Sequence, residues 1–198
     1  MKKLIKIKRN GGMTYVELIV VLGIFAVLSS VSIFNYGAFQ DKVDIKSMAN
    51  DIALKFVQAQ RSSLNGVLPI FYPPNWTPGY GVYLDISTPS QFIYFVDRNN
   101  EYHYDGATSC TDECLDKIII NKNNFIDKIE KCSDATCASP ESITSIATAF
   151  KRPDSGSHFF STPSYLFTGS SYVRITIKSP RGAQAFIKLY PSGRVQIN

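Results

Sequence analysis

Hydrophobic and polar positions divide the chain into three stretches of different period. Leu18 to Gln40 is an uncharged run of 23 residues. As a helix it is about 35 Å long, against a bilayer hydrocarbon core of about 30 Å, so it can span a membrane. Beyond it, Ile45, Met48, Ile52, Phe56, Ala59 and Leu64 recur at spacings of three to five, with Asp41, Lys42, Lys46, Asp51, Lys55 and Arg61 between them. That is the pattern of an amphipathic helix continuing the apolar one. Asn65-Gly66, with Pro69 close behind, is a stop signal. One helix from near Thr14 to Asn65 is expected, about 78 Å long at the standard rise.

After Gly66 the pattern changes to short runs rich in aromatic and β-branched residues. Tyr80 to Leu84, Gln91 to Val96, Ile118 to Asn121, Ile143 to Phe150, Tyr172 to Lys178, Ala185 to Tyr190 and Arg194 to Ile197 read as strands. Asp97-Arg98-Asn99-Asn100 supplies a turn before a further strand at Glu101 to Tyr104, and Pro191-Ser192-Gly193 predicts a closing hairpin. The expected fold is α+β, with a long N-terminal helix packed against an antiparallel β-sheet head. The organisation reads as a leader over 1–12, a transmembrane and assembly half-helix over 13–40, an amphipathic half-helix over 41–65, and a β-rich head over 66–198. A head of that size holds one core, and neither a repeat nor a low-complexity segment interrupts it.

The order of segments at the N-terminus carries the functional information. A secretory signal places its small-residue cleavage site after the apolar stretch. Here Gly11-Gly12 precedes it, so a cut between Gly12 and Met13 leaves the apolar segment at the start of the mature chain. Lys2, Lys3, Lys6, Lys8 and Arg9 hold that end in the cytoplasm by the positive-inside rule, which puts the head outside. Glu17 breaks the apolar logic, since an acidic group at the centre of a membrane helix costs about 2.5 to 3.5 kcal/mol on insertion scales. After cleavage it has two cationic partners within reach of the idea, its own Met13 amine or the Met13 amine of a neighbouring molecule. Only the second builds a polymer.

The segment KIKRNGGMTYVELIVVLGIFAVLSS resembles the class III signal of type IV prepilins and type II secretion pseudopilins, with Gly12, Thr14 and Glu17 at the offsets of that signal. The resemblance implies cleavage after Gly12 by a membrane prepilin peptidase, N-methylation of Met13, and assembly contacts through Thr14 and Glu17. Met13 stands where the family usually has Phe, and Phe34 stands near the place of a frequent helix-kinking Pro, so a straighter helix is expected. The head, through GYGVYLD, FVDRNNEYHYDG, FKRPDSG and the closing YPSGRVQIN, resembles the GspH/FimT-like branch of pseudopilins and minor pilins. That implies a long helix packed on antiparallel sheets.

Charge alters the picture less than the pI of about 9.0 suggests. The leader holds five of the 21 basic residues, which leaves 16 basic and 16 acidic residues in the mature chain. A nucleic-acid partner is therefore not implied by net charge. The distribution is uneven, however: 85–141 carries 11 acidic and five basic residues, and 151–198 carries seven basic residues and only Asp154 on the acidic side. Lys151, Arg152, Arg174, Lys178, Arg181, Lys188 and Arg194 are spread over strand-like segments rather than bunched as in a nucleic-acid tail. Five of them, Arg174, Lys178, Arg181, Lys188 and Arg194, are the candidate phosphate contacts if the head captures DNA, as FimT-like proteins of natural transformation do.

Cys110, Cys114, Cys132 and Cys137 fit two disulfides in an exported head. Leu115 to Lys131 reads as a hairpin around Asn121 to Asn124, which favours the nested pairs Cys114 with Cys132 and Cys110 with Cys137. Local pairs, Cys110 with Cys114 and Cys132 with Cys137, are the next alternative, and a zinc site of loose spacing is the third. His103 and His158 are the only histidines, and Asp154 to His158 lacks the spacing of a nucleophile elbow, so no catalytic site, metal site or cofactor is predicted. The loop Phe71 to Pro78 holds an aromatic cluster that could meet a ligand or a sugar, and Asn75-Trp76-Thr77 fits a glycosylation acceptor.

These readings converge on a non-enzymatic, single-pass protein of the cytoplasmic membrane that moves into a pilus or pseudopilus as a minor pilin or pseudopilin. Its expected partners are the prepilin peptidase, other pilins or pseudopilins through the N-terminal helix, and the membrane. The alternatives are a DNA-binding minor pilin of a transformation pilus and a signal-anchored surface protein that does not polymerise.

Overall fold

The computed structural model describes residues 12–67, 77, 79–106, 110, 112–161, 164–165 and 172–198. The basic leader residues and the Phe71 to Trp76 aromatic segment, including the Asn75 acceptor position, lie outside the described residues. The fold is α+β. The chain divides into two compact units, Met1–Gln40 and Asp41–Asn198, and one helix, α1 (Tyr15–Leu64), contributes to both.

In the second unit, the helical residues Ile45, Met48, Ala49, Ile52, Phe56 and Ala59 form one buried stripe. The stripe follows from the helical period, which returns side chains to one face every three or four residues. Burying a side chain such as Phe56, which is fully covered, contributes about 1.5 to 3 kcal/mol. The helix ends where the sequence says it should. Val67 N–H donates to the Ser62 carbonyl and Gly66 N–H to the Ser63 carbonyl, at 3.1 and 3.0 Å, and Gly66 has φ of +63°. This is a Schellman cap, and its left-handed residue is the one a glycine adopts without steric cost.

Among the described residues eleven strands follow: β1 (Gly79–Asp85), β2 (Gln91–Asp97), β3 (Cys114–Ile119), β4 (Phe125–Cys132), β5 (Glu141–Ile143), β6 (Ser145–Lys151), β7 (Ser157–Ser161), β8 (Ser164–Tyr165), β9 (Tyr172–Lys178), β10 (Gln184–Leu189) and β11 (Val195–Ile197). They form two sheets, in the orders β3-β2-β1-β6-β7-β8 and β11-β10-β9-β4-β5, with every pairing antiparallel. Val82, Leu84, Phe92, Tyr94 and Ile146 of the first sheet join Ile126, Ile129, Ile175, Ile177 and Ile187 of the second, and the helical stripe, in one core. Pairing of Leu189 with Val195 closes the β10–β11 hairpin predicted through Pro191-Ser192-Gly193.

The first sheet is also covered on its other face, where Ile93, Phe95, Tyr104, Ala147 and Ala149 cluster with Tyr83, Tyr102 and Phe160. Burial on both faces explains why β2 reads Phe-Ile-Tyr-Phe-Val without alternation.

Three strand expectations are corrected. Glu101 to Tyr104 forms no strand. The Asp97 carboxylate accepts the N–H groups of Glu101 and Tyr102, at 3.1 and 3.0 Å, and Asn100 and Tyr102 have positive φ, so this backbone turns on itself instead of joining a ladder. The turn at Asn121 to Asn124 forms, with Lys122 and Asn123 at φ of 61° and 56°, but β3 and β4 do not pair. β3 lies beside β2 in the first sheet and β4 beside β9 and β5 in the second. Ile143 to Phe150 is two strands rather than one: the chain leaves the second sheet after Ile143 and enters the first at Ser145.

Candidate functional site

Gly12 and Met13 precede α1 as exposed, non-helical residues. A Cβ added at Gly12 would meet nothing within 4 Å, so no contact among the described residues calls for glycine there. Thr14 is the N-cap. Its Oγ1 accepts the Glu17 N–H at 3.3 Å, and its carbonyl accepts the Leu18 N–H at 3.1 Å. Thr14 and Glu17 thus stand at the first and last positions of a capping box, and the carboxylate sits in the first turn, where the helix dipole favours negative charge. The Thr-x-x-Glu spacing therefore has a local physical role of its own. With Gly12 attached, the Met13 nitrogen is a peptide nitrogen, so an amine partner for Glu17 arises only on cleavage.

The helix that follows is long and apolar enough to cross a membrane, with a mean hydropathy of 2.5 over its best 18-residue window. None of that window is buried within the chain. Val20, Ile24, Phe25, Val27 and Leu28 are all more than half exposed. A contiguous apolar surface of this kind is stable only against lipid or other protein.

The favoured nested disulfides are corrected. Cys110 is bonded to Cys114 and Cys132 to Cys137, with Cα separations of 5.0 and 4.8 Å. The reason is topological: Cys114 begins β3 in the first sheet and Cys132 ends β4 in the second, so the hairpin that would have joined them does not exist. Each cysteine is used in a local staple, which leaves no thiolate for the zinc alternative.

Arg174, Lys178 and Lys188 share one face of the second sheet, because Lys188 is paired across from Arg174 and Lys178 is four residues along β9. Arg181 and Arg194 lie in the turns outside β9–β10 and before β11. Arg174, Arg181, Lys188 and Arg194 have partners among the described residues. Arg174 Nε donates to Glu130 Oε2 at 2.9 Å, and Arg181 faces Asp41 at 3.6 Å. Lys188 stands over the Tyr172 ring at 4.9 Å and Arg194 over the Tyr190 ring at 3.9 Å. Lys151 stands over Tyr102.

The segment after β2 is organised by two buried carboxylates. Asp97 and Glu113 are buried carboxylates, and burial pushes both above the ordinary carboxylate range. Asp97 holds the backbone at Glu101 and Tyr102, and Glu113 accepts the N–H groups of Arg98 and Asp105 at 2.7 and 3.1 Å. Between them, Glu101, His103 and Asp105 bring one ligating atom each within 4.8 Å of one another. The strand-like composition of Glu101 to Tyr104 does not single out this trio. Its signal was the alternation Glu-x-His-x-Asp. The other histidine, His158, stacks on Tyr102 at 4.2 Å; Asp154 accepts the Gly156 N–H at 2.9 Å, so the turn expected over Asp154 to His158 covers Asp154 to Gly156 only, and Ser157 and His158 already belong to β7, paired with β6.

An α+β protein with a membrane-length apolar helix at its N-terminus and a disulfide-stapled, antiparallel two-sheet head is the class these features define. No protein-family model matches the chain, and neither does any curated protein or any solved structure.

Proposed function

We propose that this chain is a pilin-like structural subunit, a minor pilin or pseudopilin, rather than an enzyme. In this reading a prepilin peptidase cuts between Gly12 and Met13 and methylates the new Met13 amine. The head then stands outside the cytoplasmic membrane until the helix leaves lipid to pack among other pilins or pseudopilins. The observation that carries the proposal is an apolar helix with none of its best window buried, directly preceded by an exposed, non-helical Gly12-Met13 bond. Extended and exposed backbone is what a protease requires. Gly12 meets no space restriction within the described chain, and in this reading its glycine serves the peptidase rather than the fold. In the filament, Glu17 neutralises the Met13 amine of a neighbour, and a buried polar pair of this kind sets axial register. The capping role of Thr14 leaves the Glu17 carboxylate at the helix end, where such a pair is made.

The test is N-terminal peptide and intact-mass spectrometry on protein extracted from membranes of cells with an active prepilin peptidase. A chain beginning at N-methylated Met13 is expected. A chain still beginning at Met1 would overturn the proposal and leave a signal-anchored protein that does not polymerise. Glu17→Ala is expected to be processed normally yet absent from filaments, whereas Gly12→Asp is expected to block processing.

A further inference from the structure

We propose that Glu101, His103 and Asp105 bind one divalent transition-metal ion of borderline softness, such as zinc. The proposal is independent of the pilin-like reading. Side chains two apart along the segment converge on one point, while those between them are committed elsewhere: Tyr102 stacks on His158 and Tyr104 packs on Phe95, at centroid distances of 4.2 and 5.4 Å. His103 Nδ1 is 3.4 Å from the Glu101 carbonyl oxygen, a contact that suits the tautomer with its proton on Nδ1. That leaves Nε2 facing the Asp105 carboxylate in close contact and Glu101 Oε2 at 3.6 Å. In that tautomer the ring points the Nε2 lone pair at two carboxylates. A proton on Nε2 or a metal ion seated at this point reconciles these three groups, and the metal ion engages all of them at once. An imidazole that gives one N–H to a backbone carbonyl and turns its other nitrogen to the ion is the arrangement that metal-binding histidines use.

The trio is held in place from outside. The His103 ring lies on Phe160 at 4.6 Å. The Asp105 N–H is fixed by buried Glu113, next to the Cys110–Cys114 bridge, and the second Asp105 oxygen accepts the Asn99 amide. The Glu101 N–H is fixed by buried Asp97. Such support removes much of the ordering cost of binding. Tetrahedral zinc places its ligand atoms about 3.3 Å apart at metal–ligand distances of about 2.0 to 2.1 Å. Closing from a span of 4.8 Å asks mainly for movement of the Glu101 side chain, which is 57% exposed. One nitrogen and two carboxylate donors suit zinc, nickel or copper better than calcium, which takes six to eight oxygens. Solvent completes the coordination on the exposed side.

The experiment is titration of the full-length chain, in detergent with both disulfides intact, with zinc chloride, read by calorimetry and by the shift in Tm. One equivalent is expected, with a Tm that rises on loading. Affinity is expected to fall at least tenfold in His103→Gln and in Asp105→Asn, and to be unchanged in His158→Gln. Glu101→Gln, altering an exposed side chain, serves as the variant least able to disturb folding and is also expected to weaken binding. Absence of stoichiometric zinc binding, or zinc affinity that survives both His103→Gln and Glu101→Gln, would overturn the proposal. So would calcium binding as tight as zinc that His103→Gln leaves intact.

Discussion

Replacing Cys132 and Cys137 together by alanine opens the staple at the end of β4 without touching the other bridge. The two cysteines are five residues apart, and closing a loop of that size restricts the unfolded chain by about 7 cal/mol/K, or about 2 kcal/mol at 25 °C. Cys132 is fully buried and clusters with Cys137 and Tyr172, so lost sulfur contacts add about 1 kcal/mol. A loss of about 3 kcal/mol is therefore expected in urea unfolding of the full chain in a non-denaturing detergent. The pairing itself is read by trypsin digestion without reduction. Cleavage after Arg98, Lys117, Lys131 and Lys151 yields peptides 99–117 and 132–151, each containing two cysteines and no internal Lys or Arg. Local bridges leave the two peptides separate, each lighter by two hydrogens than its reduced form. Release of 99–117 and 132–151 as one linked species would refute the local pairing, and with it the energy worked from a short loop.

Gly81→Ala places a Cβ 2.5 Å from the Phe95 ring and 2.6 Å from the Thr148 carbonyl oxygen. Phe95 is fully buried and the carbonyl belongs to a sheet backbone, so neither yields easily, and a loss of about 1 to 3 kcal/mol is expected in the same urea assay. Thr14→Ala removes the N-cap oxygen and is expected to cost about 1 kcal/mol locally, seen as faster amide hydrogen exchange at Glu17 in micelles, with Thr14→Ser restoring protection. Burial holds the His158 imidazole below its ordinary value of 6.5, with Asp154 and Asp97 opposing and Lys151 assisting. Between the lowered folded value and 6.5, the unfolded chain binds the proton and the folded one does not. Stability from this group is thus complete above 6.5 and falls as pH drops through that window, and His158→Gln is expected to flatten the fall in urea midpoints measured over that range.

Much of the architecture was legible from neighbours along the chain. The apolar run, the amphipathic stripe from Ile45 to Ala59, the stop at Asn65-Gly66 and the Pro191 to Gly193 hairpin all depend on residues within a few positions of one another, and all of them appear in the fold. Short strands were harder to see. β7, Ser-His-Phe-Phe-Ser, offers no alternation long enough to read, and it is ordered by pairing with β6. The Glu101 to Tyr104 segment has strand-like composition, yet the buried Asp97 carboxylate takes its backbone donors.

By itself the sequence determined what short-range chemistry determines: an N-terminal helix long enough for a bilayer, the offsets of Gly12, Thr14 and Glu17 around its start, and a β-rich head after Gly66. The tertiary structure alone decided where β3 and β4 part company, and hence which cysteines meet. It alone brought Glu101, His103 and Asp105 to a single point under the hold of Asp97 and Glu113. The physical reason is common to both. A turn is chosen by the few residues within it, whereas the sheet a strand joins is chosen by the apolar surface it buries, and that surface belongs to strands remote in sequence.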